Sequence, residues 1–374
     1  MSEATRWALA CRLADLEAKG VLPFTADHLR LALFWYQGRP YAISNVCNHK
    51  GGPLTQGRVN GEFVMCPWHA WEYSVKTGAG PPGFEHEAVA TYPVQVRGEE
   101  VWVWLEPATP RRLVQHAPLP LARKVVHEPH ERVRVLGIST TAMDKANPRY
   151  STSEALLEHA LHHAAVAADN PAERAETQLI RLRDLAFREC EGNYSKAARA
   201  CTWPCAITER DPADQLTPVY EGIVHWADVV VIATSIRWGA PASLYTKMIE
   251  RMNCIQNQIT IGNRVLIRRK VAAFIITGGQ DNIQAVAGQM LTFFAELGFQ
   301  FPPFPFIAHS RGWTAEDMEE NVRTVRESES LRAGARELMM RAVETARHVH
   351  DPDHFARPGR KASAVKDVAP EPEA

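Results

Sequence analysis

Residues 227–252 read ADVVVIATSIRWGAPASLYTKMIERM. Val229, Val230, Val231 and Ile232 are consecutive and apolar, without the alternation of a strand that has one wet face. A strand apolar on both sides is buried on both sides, as in a parallel sheet covered by helices. Beyond it Leu244, Met248 and Met252 recur every four residues, the spacing of one helix face. The pattern repeats on either side. Residues 133–138 form a short apolar run, and Leu157, Ala160, Leu161 and Ala164 then follow at helical spacing. Residues 271–276 form a third run, followed by Ile283, Val286, Ala287, Met290, Leu291, Phe294 and Leu297. Asp281 and Gln284 have the spacing of a capping box for that helix, and Thr314 and Asp317 have it before a last long one. Strand then helix, repeated, predicts an α/β domain with a parallel sheet over residues 132–350.

Residues 7–106 follow another rule. Short apolar runs at 29–36 and 41–46 flank Gln37-Gly38-Arg39-Pro40, and runs at 94–96 and 101–105 flank Arg97-Gly98-Glu99-Glu100. Both are hairpin signals, and Gly and Pro punctuate 51–83, so a small all-β domain is expected here. Proline recurs through 107–131, which reads as a semi-extended linker. Residues 351–374 are polar and contain proline, and are expected to be a disordered tail.

Across 374 residues, 42 Lys and Arg face 43 Asp and Glu, a net charge of -1. That balance argues against bulk attraction to nucleic acid or to an anionic membrane. No apolar run approaches the roughly 18 residues of a membrane helix. MSEATRWALACRLADLEAKG has no basic region followed by an apolar core, so no secretory signal is expected. Seven cysteines, an odd count, argue against a disulfide framework and for a reducing, cytoplasmic setting.

Four residues then stand out. Cys47-Asn48-His49 and Cys66-Pro67-Trp68-His69 form C-x-H and C-x-x-H pairs, with sixteen residues between His49 and Cys66. Two thiolates and two imidazoles suit zinc or a two-iron cluster. Gly51, Gly52 and Pro53 give the backbone room beside a bulky group. The segment from Cys47 through Gly78, with its GGPL turn and C-P-W-H box, resembles the Rieske [2Fe–2S] family. The resemblance implies that Cys47 and Cys66 bind one iron while His49 and His69 bind the other. Gly52 and Trp68 stand where respiratory-type members carry a disulfide, and Trp71 stands where they carry a serine hydroxyl. Tyr73 remains as a donor to sulfur. Fewer such bonds imply a ferredoxin- or oxygenase-type cluster at the low-potential end of the class.

In an open α/β sheet, ligands bind beyond the carboxyl ends of the strands. Three such ends carry polar or glycine-rich loops. Ser139 ends the first run, and Ser151, Thr152 and Ser153 open the following helix, where hydroxyls and free N–H groups suit a phosphate monoester. The second loop is Thr234, Ser235, Ile236, Arg237, Trp238 and Gly239, and the third is Thr277, Gly278, Gly279, Gln280 and Asp281. The three in order resemble the NAD(P)H-dependent FMN reductase branch of flavodoxin-like proteins, which implies a five-stranded parallel sheet. The resemblance assigns the phosphate to the first set, the ribityl chain and ring edge to the second, and the isoalloxazine to the third. Simple caps are the alternative for Ser151, Thr152 and Ser153 and for Asp281. Arg237 is expected near the pyrimidine edge. Cys190, Cys201 and Cys205, with Cys254, read as a further cluster, a zinc site or packing thiols.

The expected function is an oxidoreductase that passes electrons from NAD(P)H through FMN to the cluster and on to an unidentified acceptor. That acceptor is either a small molecule or an oxygenase-type protein. The alternatives are quinone or nitroaromatic reduction at the flavin, and a non-turnover carrier or sensor. No side-chain acid or base is needed, so no catalytic residue is named. The resemblance also implies a homo-oligomer, with residues 251–269 as one candidate interface.

Overall fold

The structure is a computed structural model that describes residues 6–113, 120–170, 173–196, 201, 203–278, 282–312 and 314–350. The expected tail over 351–374, and Gly279, Gln280 and Asp281, lie outside the described residues. The chain forms two compact units. One is Met1–Leu119 together with Glu191–Asp211, and the other is Pro120–Cys190 together with Pro212–Ala374. Among the described residues no helix is long and apolar enough to cross a membrane.

The first unit is built from three small antiparallel sheets. β1 (Trp7–Arg12), after which α1 (Leu13–Lys19) follows, pairs with β10 (Glu100–Trp104), and β10 with β9 (Val94–Arg97). β2 (Val21–Ala26), β3 (Leu29–Tyr36), β4 (Arg39–Ser44) and β8 (Thr91–Tyr92) form the second sheet in that order. β5 (Arg58–Asn60), β6 (Phe63–Met65) and β7 (Glu72–Ser74) form the third. Between β3 and β4 the turn is only Gln37 and Gly38, at φ 51 and 73, the double positive φ that matches strand twist. β3 is fully committed to packing. Leu31 and Leu33 enter one core with Leu16, Val101 and Val103, while Ala32 and Phe34 enter another with Ile43, Cys47, Cys66, Trp71 and Tyr73. Successive side chains on a strand point to opposite faces, so one strand serves both cores.

The linear reading does not place Glu191–Asp211 in this unit. That stretch carries α3 (Asn193–Lys196) and α4 (Ala206–Arg210), and Arg210 lies 3.6 Å over the Phe84 ring. The expected linker is also taken up by its surroundings. Thr109 bridges Thr91 and Arg112 bridges Ala88, while Leu121 is buried and His130 Nδ1 meets Asp228 at 3.0 Å.

In the second unit β11 (Arg134–Ser139), β12 (Glu176–Arg181), β13 (Val229–Arg237), β15 (Val271–Gly278) and β16 (Phe306–Ser310) form a parallel sheet. Its order is β12-β11-β13-β15-β16, the flavodoxin-like order with the switch point between β11 and β13. A sixth short strand, β14 (Ala240–Pro241), folds back antiparallel on the end of β13. α2 (Thr152–Val166) and α10 (Glu329–His350) cover one face, where Leu157, Leu161, Leu338 and Val343 pack on Val229, Val231 and Ile275. α8 (Ile283–Leu297) brings Phe294 edge-on to Phe274, 5.4 Å between centroids. α5 (Thr217–Tyr220), α6 (Ser243–Arg251), α7 (Asn253–Thr260) and α9 (Ala315–Glu327) complete the unit.

The Thr314–Asp317 capping box forms at α9. α8 instead starts after Asn282, which makes no side-chain cap, one position later than the spacing of Asp281 and Gln284 requires. Arg251, at the start of the candidate interface segment, is fully buried and pairs with Asp214 at 2.9 Å.

Candidate functional site

Two loops of the first unit face each other. The first closes tightly after β4, where Cys47 N–H donates to Gly52 O and Gly51 N–H donates to Cys47 O, each at 3.0 Å. Asn48 pins it, its Nδ2 donating to Glu87 Oε2 at 2.7 Å and to Arg112 O at 2.9 Å. The second loop joins β6 to β7, with Cys66 N–H donating to Trp71 O at 2.7 Å and Ala70 turned to φ 58. Gly52 sits where the loops meet. A Cβ there would lie 2.7 Å from Cys66 Sγ, so only glycine leaves that sulfur its place.

The loops bring Cys47, His49, Cys66 and His69 together as two like pairs. The thiols of Cys47 and Cys66 interact, and the His49 and His69 rings meet edge to face with centroids 4.3 Å apart. Among the described residues no three His, Cys, Asp or Glu side chains gather to hold a single metal ion. Segregated thiols and imidazoles are what a two-iron centre with different ligands on each iron requires. The Nδ1 atoms of both histidines are buried without a hydrogen-bond partner, a cost the fold repays only if something ligates them. These residues therefore fit a [2Fe–2S] cluster.

The electrostatics agree. Contact with the Cys47 thiol, aided by backbone N–H groups of Trp68 and His69, brings the Cys66 thiol down to about 7. The same contact and burial raise Cys47, against the N–H of His49. Burial, with His49 and Lys50 alongside, lowers the His69 imidazole to about 4, leaving it neutral and free to ligate. Tyr73 Oη lies 3.7 Å from Cys47 Sγ and accepts from Asn48 N–H at 3.2 Å.

The second site lies at the carboxyl ends of β11, β13 and β15. A cavity of about 800 Å³ there is lined by Thr141, Ser151, Thr152, Ser235, Ile236, Arg237, Trp238 and Gly278, among others. Ser151 caps α2, accepting from Glu154 N–H at 3.3 Å, and its Oγ lies 2.7 Å from Thr141 Oγ1. Ser153 Oγ lies 3.4 Å from both. Thr152 and Thr277 share a 2.6 Å hydroxyl bond that ties the two loops. Hydroxyls at a helix N-terminus fit a phosphate, and the buried, unpartnered Ser235 Oγ adds a polar atom awaiting a ligand. The Gly278 backbone passes close to Ile236, whose Cβ would lie 2.8 Å from an added one. Gly239, at φ 71, turns the second loop, and Asn282 Nδ2 donates to its carbonyl at 2.6 Å. Trp238 is 93% exposed.

Of the expected residues, Ser139, Ser153, Thr234, Gly239 and Thr277 are not among those lining the cavity. Ser139 is fully buried and donates to Glu154 Oε2 at 2.5 Å, within a network that includes Arg181 and Arg183. Thr234 accepts from Ala242 N–H at 3.2 Å beneath the second loop. Thr141, Arg149 and Asn321 line the cavity but do not emerge from sequence reasoning. Thr141 lies two residues past the β11 end, and a Ser/Thr search of that loop finds it. Of the other cysteines, Cys205 is buried at the N-cap of α4, Cys254 is buried, and Cys190 and Cys201 are half-buried.

A Rieske [2Fe-2S] domain model matches residues 6–93, and an NADPH-dependent FMN reductase model matches residues 133–314. The chain is 30% identical over 98 residues to the ferredoxin component of the naphthalene 1,2-dioxygenase system of Pseudomonas aeruginosa, covering 26% of this chain and 94% of that one. It is 31% identical over 102 residues to the 3-phenylpropionate/cinnamic acid dioxygenase ferredoxin subunit of Escherichia coli strain K12, covering 27% and 95%. Among solved structures it resembles RosB with a bound 8-demethyl-8-formylriboflavin-5′-phosphate intermediate, at 19% identity and a TM-score of 0.47, covering 65% of this chain and 90% of that one.

Proposed function

The chain belongs to the Rieske [2Fe-2S] family and joins to it an NADPH-dependent FMN reductase domain, and from that premise we propose that it carries electrons from NAD(P)H to an oxygenase-type acceptor protein. A flavin exchanges electrons in pairs with a nicotinamide and singly with an iron–sulfur centre, which is the conversion its two cofactors supply together. The observation that carries this reading is the pairing of two interacting buried thiols with two buried, unpartnered Nδ1 atoms.

Cys47 and Cys66 would hold one iron, and His49 and His69 the other. Backbone N–H groups of His49, Trp68 and His69 steady the thiolates. Ser151, Thr152 and Ser153, with Thr141, would bind the FMN phosphate at the start of α2. Ser139 fastens that helix from beneath through Glu154. Ser235, Ile236, Arg237, Trp238 and Gly239 would enclose the ribityl chain and ring edge, with Thr234 bracing their loop. Thr277 and Gly278, continuing into Gly279, Gln280 and Asp281, would lie against the ring. The curated relatives are named as ferredoxin parts of dioxygenase systems, which supports an oxygenase-type acceptor.

The test is anaerobic addition of NADPH, then NADH, to the purified holoprotein, with flavin absorbance and the Rieske EPR signal followed together. Flavin bleaching followed by growth of the cluster signal is expected. Bleaching with a silent cluster would favour a plain flavin reductase. No response at either centre would favour a carrier or sensor fed by a partner.

A further inference from the structure

The two imidazoles of the first site do not have the same surroundings. His49 stacks flat on Trp71, 4.8 Å between centroids and 7° between planes. Its outer nitrogen, Nε2, lies 3.2 Å from Glu209 Oε2, and the two side chains are only 7% and 14% exposed. Among the described residues no carboxylate makes such a pair with His69.

Glu209 does not belong to either ligand loop. It lies on α4, in the Glu191–Asp211 stretch that leaves the second unit and packs with the first. Its neighbour anchors it. Arg210 covers the Phe84 ring at 3.6 Å and donates to Glu191 Oε2 at 2.8 Å, and the Arg210 side chain is 7% exposed. The carboxylate is therefore held beside His49 by the anchoring of the residue that follows it in the chain.

We propose that Glu209 is a positioning residue that sets the midpoint of the iron–sulfur centre through His49. With Nδ1 on iron, Nε2 must carry the proton, and a carboxylate 3.2 Å away, though not aligned as its hydrogen-bond acceptor, favours positive charge on the ring and so increases the electron donation of the ligand. The carboxylate also adds a negative charge beside a centre that gains another on reduction. Both effects favour the oxidised state, so Glu209 lowers the midpoint. The inference rests on the reading of His49 as a cluster ligand.

Glu209→Gln keeps the shape and an acceptor oxygen and removes the charge. EPR-monitored titration of the holoprotein at fixed pH is expected to show the midpoint rising by about tenfold in the one-electron equilibrium, roughly 59 mV. Glu62→Gln removes the same charge from a carboxylate that pairs with Lys76 instead, and is expected to leave the midpoint in place. An unmoved or lowered midpoint in Glu209→Gln overturns the proposal, and so does an equal rise in Glu62→Gln. A measurement on the unmodified protein does not depend on how the variant folds. Pulsed EPR of the remote imidazole nitrogens is expected to resolve two different Nε2 environments, and two identical ones overturn the proposal. Failure of the underlying reading looks different, because the unmodified protein would then show no Rieske signal at all.

Discussion

Tyr73→Phe removes one oxygen from beside the cluster loops and nothing else. The ring is fully buried among Cys47, Cys66, Trp71 and Val64, and phenylalanine fills the same volume. What is lost is a hydroxyl 3.7 Å from Cys47 Sγ that also accepts from Asn48 N–H at 3.2 Å. An O–H donated to a thiolate helps the centre more after it gains an electron, so its loss favours the oxidised state. The contact is long and its donor neutral, which puts it at the lower end for a net hydrogen bond, about 0.5–1 kcal/mol. With 1.4 kcal/mol and 59 mV both equivalent to a tenfold change for one electron, the midpoint is expected to fall by roughly 20–40 mV. The part-buried Asn48 N–H loses this acceptor, which is expected to cost about 1 kcal/mol of stability. The assay is EPR-monitored potentiometry beside thermal unfolding. A midpoint that stays or rises refutes the account, and the sign is opposite to that expected for Glu209→Gln.

Gly52→Ala places a methyl 2.7 Å from Cys66 Sγ and is expected to lower iron content per chain several-fold, read by metal analysis. Ser151→Ala is expected to weaken FMN binding by roughly 5–10-fold, read by titration of the apoprotein, and an unchanged Kd would remove this hydroxyl from the phosphate site. Arg237→Ala is expected to lower the flavin midpoint by about tenfold in the two-electron equilibrium, ~30 mV, because a cation near the ring favours the reduced, more negative form. Burial alone would raise Glu154, but hydrogen bonds from Arg183, Ser139 and Arg181 outweigh it and hold the carboxyl at about 2, below its ordinary 4.5. Its stabilising contribution is thus complete above pH 4.5 and is lost as pH falls towards 2. The Tm gap between the protein and Glu154→Gln is expected to be constant near neutrality and to shrink through that window.

Much of the fold is legible because its rules are local. The unbroken run at 229–232 specifies a strand covered on both faces, and the Thr314–Asp317 spacing specifies a capping box. The Gln37-Gly38 turn is readable for the same reason. The ligand quartet is legible because each Cys-His pair lies within one loop. What escapes is decided across distance. Ser139 and Ser151 look alike as hydroxyls, yet Ser139 faces under α2 because Arg181 and Arg183, brought alongside by β12, hold Glu154 there. Glu209 is one acidic residue in a short helix, and nothing in its spacing from Cys47 or His49 tells of their meeting. β14 spans two residues, too few for any period. Thr109 and Arg112 sit in a proline-rich stretch whose pairing comes from partners about twenty residues earlier, Thr91 and Ala88.

The excursion over Glu191–Asp211 also determines how the molecule can be taken apart. The backbone passes between the units after Leu119, after Cys190 and after Asp211, three times in all. A single nick between Leu113 and Pro120 would leave only the Glu191–Asp211 part of the first unit joined to the second, by two intact lengths of chain. A gene cut at that point would release a ferredoxin-sized fragment lacking α4, and with it the carboxylate at the outer face of His49. The two parts are therefore interlaced at the level of the polypeptide, and exchanging one for another version in a hybrid protein means transplanting two segments at once.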